Sequence, residues 1–191
     1  MKTFKLPEDF IFGTATASLQ IEGGDRNNNW YRFSEQGKTK DGSHCIVACD
    51  HWNRYEEDID LMVQLNQQAY RMSLEWSRIE PRQGEFNEAA LVHYRKILTL
   101  LTERGIKPLV TLHHFSNPLW FEDMGGWAHK DSPEIFLRFS EKVLTSLGDL
   151  VTDWITINEP NVYVEGTYSA GNYPPNKTSF INFFPGGQKL R

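Results

Sequence analysis

Glu159 stands between Asn158 and Pro160, directly after the apolar run Trp154-Ile155-Thr156-Ile157. A carboxyl group in that position costs free energy unless it is paired or is used to move a proton. Two side chains could satisfy it as a structural carboxylate. Arg71 lies inside the run Ala69-Tyr70-Arg71-Met72-Ser73-Leu74, and His114 follows His113 at the end of Pro108-Leu109-Val110-Thr111-Leu112. A guanidinium in an apolar run itself needs a carboxylate, so Arg71 is expected to pair with one. Gln20 and Glu22 follow a fourth apolar run, Phe10 to Ala15. Proton transfer by Glu159 and a purely structural ion pair both fit these residues.

The four runs read as strands, and helix-period stretches separate them. From Trp52 to Leu65, Tyr55, Ile59, Met62 and Val63 recur at three and four residues, with acidic residues filling the first half. Asn87 to Arg104 reads as a second helix. Asn87 is its N-cap, Ala90, Leu91, Tyr94, Ile97, Leu98 and Leu101 form its apolar face, and Gly105 lies just past its end. Ser132-Pro133 is expected to open a third helix as N-cap and first residue, ending at Leu147-Gly148. Gly23 to Ser43 is polar and rich in Gly and Asn, and reads as a loop. The order β-α-β-α-β-α-β predicts an α/β fold whose parallel sheet is buried on both faces. It suits either a doubly wound sheet or the start of a (β/α)8 barrel. In both, the chemistry gathers at the C-terminal ends of the strands, where Gln20, Arg71, His113, His114, Asn158 and Glu159 all fall. No Gly-x-Gly-x-x-Gly follows the first strand, which disfavours dinucleotide binding.

Composition narrows the partners. The 191 residues carry a formal net charge of -5, which argues against a nucleic-acid or anionic-membrane partner. No stretch approaches the roughly 20 apolar residues of a membrane span. The first residues, MKTFKLPEDF, lack the apolar core of a signal peptide, so a cytoplasmic location is expected. The two cysteines, Cys45 and Cys49, sit near His44, Asp50 and His51. That spacing matches no standard zinc pattern, and they read as reduced thiols in a loop. Aromatic residues make up 13% of the chain, including 6 Trp, which suits either a large core or stacking on sugar rings.

Five segments, taken in order, resemble glycoside hydrolase family 1. They are Phe10-Ile-Phe-Gly-Thr-Ala-Thr-Ala-Ser-Leu-Gln-Ile-Glu-Gly23, Ala69-Tyr-Arg-Met-Ser-Leu-Glu-Trp-Ser-Arg-Ile-Glu-Pro81, Val110-Thr-Leu-His-His-Phe115, Gly125-Gly-Trp127 and Thr156-Ile-Asn-Glu-Pro160. The resemblance implies a (β/α)8 barrel of which residues 1–191 form the N-terminal half, about four β-α units of one catalytic domain. It implies hydrolysis of terminal β-linked sugars, β-glucosides first among them, with retention. Glu159 would be the general acid/base and Asn158 would bond the sugar 2-hydroxyl. Gln20 and His114 would hold hydroxyls at the non-reducing side, and Arg71 would orient and keep ionised the nucleophilic carboxylate. His113 and Trp127 would serve packing. Burial and the second carboxylate would raise the acid's pKa. No metal or organic cofactor enters this scheme.

The family's nucleophile lies in a Thr/Ser-Glu-Asn-Gly type motif, and this sequence has none. The chain alone is therefore expected to be inactive, with two open sheet edges and an apolar flank. Its partner would be the C-terminal half of the barrel, in the same or a separate chain. A sugar-binding or assembly subunit, or a truncated inactive fragment, is the alternative. Smaller departures from the family bear on specificity: the short segment Gly24 to Trp30, Phe115 in place of Trp, and Asn117-Pro118.

Overall fold

The computed structural model of the chain describes residues 4–176. Four parallel strands, β1 (Gly13–Ala15), β2 (Ala69–Ser73), β3 (Lys107–His113) and β4 (Asp153–Ile157), form one sheet in the order β1-β2-β3-β4. A doubly wound sheet reverses its strand order at a switch point. This order does not reverse, so it is the barrel alternative that the chain follows.

Helices α1 (Ser18–Ile21) and α2 (Asn29–Glu35) follow β1, and α3 (His51–Gln64) leads into β2. After β2 come α4 (Trp76–Ile79) and α5 (Glu88–Glu103), and after β3 come α6 (Leu119–Asp123) and α7 (Ser132–Leu147). Beyond β4, α8 (Pro160–Val164) runs into a π-helical turn, Glu165–Ser169. The stretch expected to be loop thus carries α2. Its N-cap is Asn28, whose side chain accepts the Tyr31 N–H at 2.8 Å.

The three long helices bury the stripes their periodicity marks. In α5, Ala90, Leu91, Tyr94, Ile97, Leu98 and Leu101 are all buried, and Asn87 accepts from the Ala89 and Ala90 N–H groups. Gly105 takes the left-handed conformation (φ +75) that lets the chain leave α5. In α3, Ile59 and Met62 are buried but Val63 is exposed, because the helix turns only one narrow face to the sheet. In α7 the N-cap is Asp131, one residue earlier than expected. The Ser132 hydroxyl donates instead to the Trp127 carbonyl at 3.2 Å. Trp76 sits at the centre of the core, stacked on Phe139 at 4.8 Å and tilted against Phe121 at 4.7 Å.

The sheet is not buried throughout. Met72, Ser73 and most of β3 are buried, but β1 is exposed and β4 only partly covered. The first strand is also shorter than the apolar run, since Phe10, Ile11 and Phe12 stand exposed ahead of it. Residue Gly13 passes so close to β2 that a Cβ there would collide with the Ala69 carbonyl. Among the described residues, the outer edges of β1 and β4 are open, and Ile11 remains 60% exposed beside one of them. No helix among these residues is long and apolar enough to cross a membrane.

Candidate active site

The C-terminal ends of the strands bring part of the expected group together. Arg71 rises from β2 and its Nη2 donates to the Asn158 Oδ1 just beyond β4. Asn158 is held there by its own N–H, which donates to the His113 carbonyl at 2.9 Å. His114 is half-buried next to Arg71. Burial, and then the Arg71 charge, hold its imidazole at a pKa of about 4, so the ring is neutral near pH 7. The expectation that Arg71 meets a carboxylate fails among the described residues. Its partner is an amide oxygen, and its Nε is buried with no partner. An unpaired buried donor is costly, which marks the place where an acceptor is due.

Glu159 lies outside this cluster. It is exposed, and its backbone is left-handed (φ 42, ψ 59). Pro160 bars the right-handed helical conformation at the preceding residue and opens α8 itself. The Tyr163 N–H donates to the Glu159 carbonyl at 3.0 Å and fixes the turn. Its carboxylate meets neither Arg71 nor His114, so a structural ion pair is not what holds it. The burial expected of a general acid is not present here, because β4 is the last strand of the sheet.

Gln20 is exposed on α1 and makes no bond to Arg71, His114 or Asn158. It borders a cavity of about 330 Å³ with Trp30, Asn28, His44 and Cys45. Cys45 and Cys49 are both free and exposed. No group of three or more metal-ligating side chains occurs among the described residues.

His113 faces the core. Its Nε2 bonds Asn117 Oδ1 at 2.9 Å, and Trp127 and Tyr163 pack edge-on at 5.1 and 5.5 Å. Burial pushes its pKa down to about 4. Asn117 is fully buried, and its Nδ2 donates to Glu122 Oε2 and to the Tyr163 hydroxyl, both at 2.9 Å. Its departure from the family therefore acts through packing and not on a ligand.

A second buried network was not assigned from the sequence. Glu22 accepts from Arg78 Nε at 2.9 Å and from the Tyr94 hydroxyl at 2.8 Å. The same hydroxyl accepts the Glu75 N–H at 2.8 Å. The Glu75 carboxyl group gathers Ser18, Ser77 and Ser116. Ser18, Glu22, Glu75, Ser77 and Arg78 lie within two of the family-like segments, but nothing in their spacing shows that they meet.

The Glycosyl hydrolase family 1 model matches residues 2–188. The chain belongs to this family. It is 43% identical over 169 residues to Beta-glucosidase A of Acetivibrio thermocellus, covering 85% of this chain and 38% of that protein. A β-glycosidase from Pyrococcus horikoshii superposes with a TM-score of 0.87 at 46% identity, over 93% of this chain and 41% of that one. The β-glucosidase from Thermotoga maritima in complex with cyclophellitol gives 0.91 at 38% identity, over 94% and 43%. The chain thus spans about two fifths of the length of these relatives. Its sheet and helices are the first four β-α units of a (β/α)8 barrel.

Proposed function

We propose that this chain supplies the acid/base half of a retaining β-glycosidase that acts on terminal β-linked sugars, β-glucosides in the first place. The observation that carries the reading is Arg71. It sits at the catalytic edge of the sheet, joined to Asn158 and beside a neutral His114, with a buried Nε still lacking an acceptor. A nucleophilic carboxylate from the polypeptide that completes the barrel would fill that place and be kept ionised by it.

In this scheme the protonated Glu159 gives its proton to the glycosidic oxygen as the carbon–oxygen bond breaks, and the nucleophile bonds the anomeric carbon. Water then attacks that carbon, the bond to the nucleophile breaks to release its carboxylate, and the water gives a proton back to Glu159. Retention requires the two carboxyl groups to lie roughly 5–5.5 Å apart. Asn158 would bond the 2-hydroxyl, and Gln20 and His114 would bond hydroxyls at the far side of the ring. Covering the open edge of β4 would also bury Glu159.

The test is hydrolysis of nitrophenyl β-glucoside by the chain assembled with its completing polypeptide. Glu159→Gln should lower turnover of an alkyl glucoside by about 10²–10⁴-fold, while substrates with very good leaving groups still glycosylate the protein. Unchanged turnover would remove Glu159 from the role. The alternative is a sugar-binding or assembly subunit. It requires no turnover from that assembly, with sugar binding indifferent to Glu159→Gln.

A further inference from the structure

Three loops leave the C-terminal ends of β1, β2 and β3, and one buried side chain touches all three. Glu75 follows β2 and is 1% exposed. Its carboxyl group bonds the Ser18 hydroxyl at 3.1 Å, the Ser77 hydroxyl at 2.6 Å and the Ser116 hydroxyl at 2.8 Å. Ser18 begins the single helical turn that carries Gln20, and the Ser18 N–H also donates to Ser73 Oγ at 2.7 Å. Ser116 lies two residues past His114. Between them, Phe115 takes a left-handed backbone (φ 70) that a bulky side chain adopts only under constraint. The constraints are visible: Trp30 Nε1 donates to the Phe115 carbonyl at 3.1 Å, and Glu75 holds Ser116 on the other side.

We propose that Glu75 is a positioning residue, which holds the turns carrying Gln20 and His114 in register so that both reach hydroxyls of one sugar ring. The proposal rests on the glycosidase reading above. Glu75 itself lies beneath the edge and does not reach the substrate.

Counting protons identifies the working form. The Ser77 hydroxyl is 2.6 Å from Glu75 Oε1 and 2.6 Å from Asp25 Oδ2. One hydroxyl has one proton to give, so both contacts are hydrogen bonds only when one of the two carboxyl groups carries a proton and donates it to Ser77, and Glu75 is the more deeply buried of the two. Burial, and then the Asp25 charge, accordingly raise the pKa of Glu75 to about 7. A glutamine amide reproduces that pattern, with an N–H for Ser77 and a carbonyl for Ser18 and Ser116.

The test is a set of double-mutant cycles on the assembled protein, read as kcat/KM for nitrophenyl β-glucoside. Glu75→Ala should lower kcat/KM about 10–100-fold, and Glu75→Gln should stay within about threefold of the parent. In a Gln20→Ala background, and separately in a His114→Ala background, the loss from Glu75→Ala should shrink at least threefold, because part of what it positions is already gone. Losses that multiply in full in both backgrounds would overturn the proposal, as would a Glu75→Gln variant as impaired as Glu75→Ala. Should Glu75→Ala fail to fold, Ser18→Ala and Ser116→Ala each remove one bond of the bridge and run the same cycles. The parent assembly is the control: if it turns over neither nitrophenyl nor alkyl β-glucoside, the glycosidase reading fails. If the parent is active and the losses multiply, only the positioning role fails.

Discussion

At the scale of single residues, the site is held by polar groups placed where water is scarce. Glu75, fully buried, faces Asp25, Glu22, Arg78, Tyr94 and the thiol of Cys45. Its pKa in the fold, about 7, lies above the ordinary glutamate value. The protonated carboxyl is therefore the form the fold favours. Stability from this group is complete below the unfolded pKa and is lost as pH rises through about 7. His113 and His114 work in the opposite direction. With pKa values depressed to about 4, they favour the fold above the usual imidazole pKa and withdraw support as pH falls toward 4. Urea midpoints measured from pH 4 to 8 should pass through a maximum between these limits. Burial raises the pKa of Glu22 to about 8, so it adds to the alkaline limb, and Glu75→Gln, which cannot ionise, should make that limb shallower without removing it and leave the acid limb unchanged. An unaltered alkaline limb would show that Glu22 alone is its source and that Glu75 does not contribute.

At the scale of elements, periodicity made the long helices legible. The apolar face of α5 could be written down residue by residue, because each of its positions meets the sheet or a neighbouring helix at the helical repeat. The short helices α1, α4, α6 and α8 were not legible. Each spans only four or five residues, too few for a repeat to declare itself, and each forms because a loop must turn at the end of a strand. The first strand shows the same limit. Its apolar run predicted six residues, but only those that meet β2 became strand. Phe12 is tied to the sheet through Gln68, whose N–H donates to the Phe12 carbonyl at 2.7 Å. This close approach leaves no room beside Gly13. Gly13→Ala should cost about 1–3 kcal/mol in urea unfolding, since the added methyl meets backbone that cannot move aside. An unchanged midpoint would mean that β1 pairs more loosely than its register indicates.

At the scale of the whole molecule, the unpaired edges of β1 and β4 dominate. Open edges beside Phe10, Ile11 and Phe12 are templates for further strands. The isolated chain should be inactive toward nitrophenyl β-glucoside, and light scattering should find it self-associated. Ile11→Lys should reduce that association by setting a charge beside the β1 edge. A monodisperse, active monomer would contradict both the incomplete barrel and the missing nucleophile.

What the sequence determined by itself were the local quantities: the strand and helix repeats, the order of elements, and which polar side chains fall at strand ends. These depend on neighbours within a turn or two. Tertiary structure alone decided the pairings. Arg71 bonds Asn158 across 87 positions, and Ser116 bonds Glu75 across 41. Such contacts arise where loops from successive strands converge, and no spacing within one segment encodes them. The same convergence buried Glu75 and left Glu159 in the open. Whether a carboxyl group holds a proton is set by the dielectric and the donors around it, and only the assembled sheet provides those.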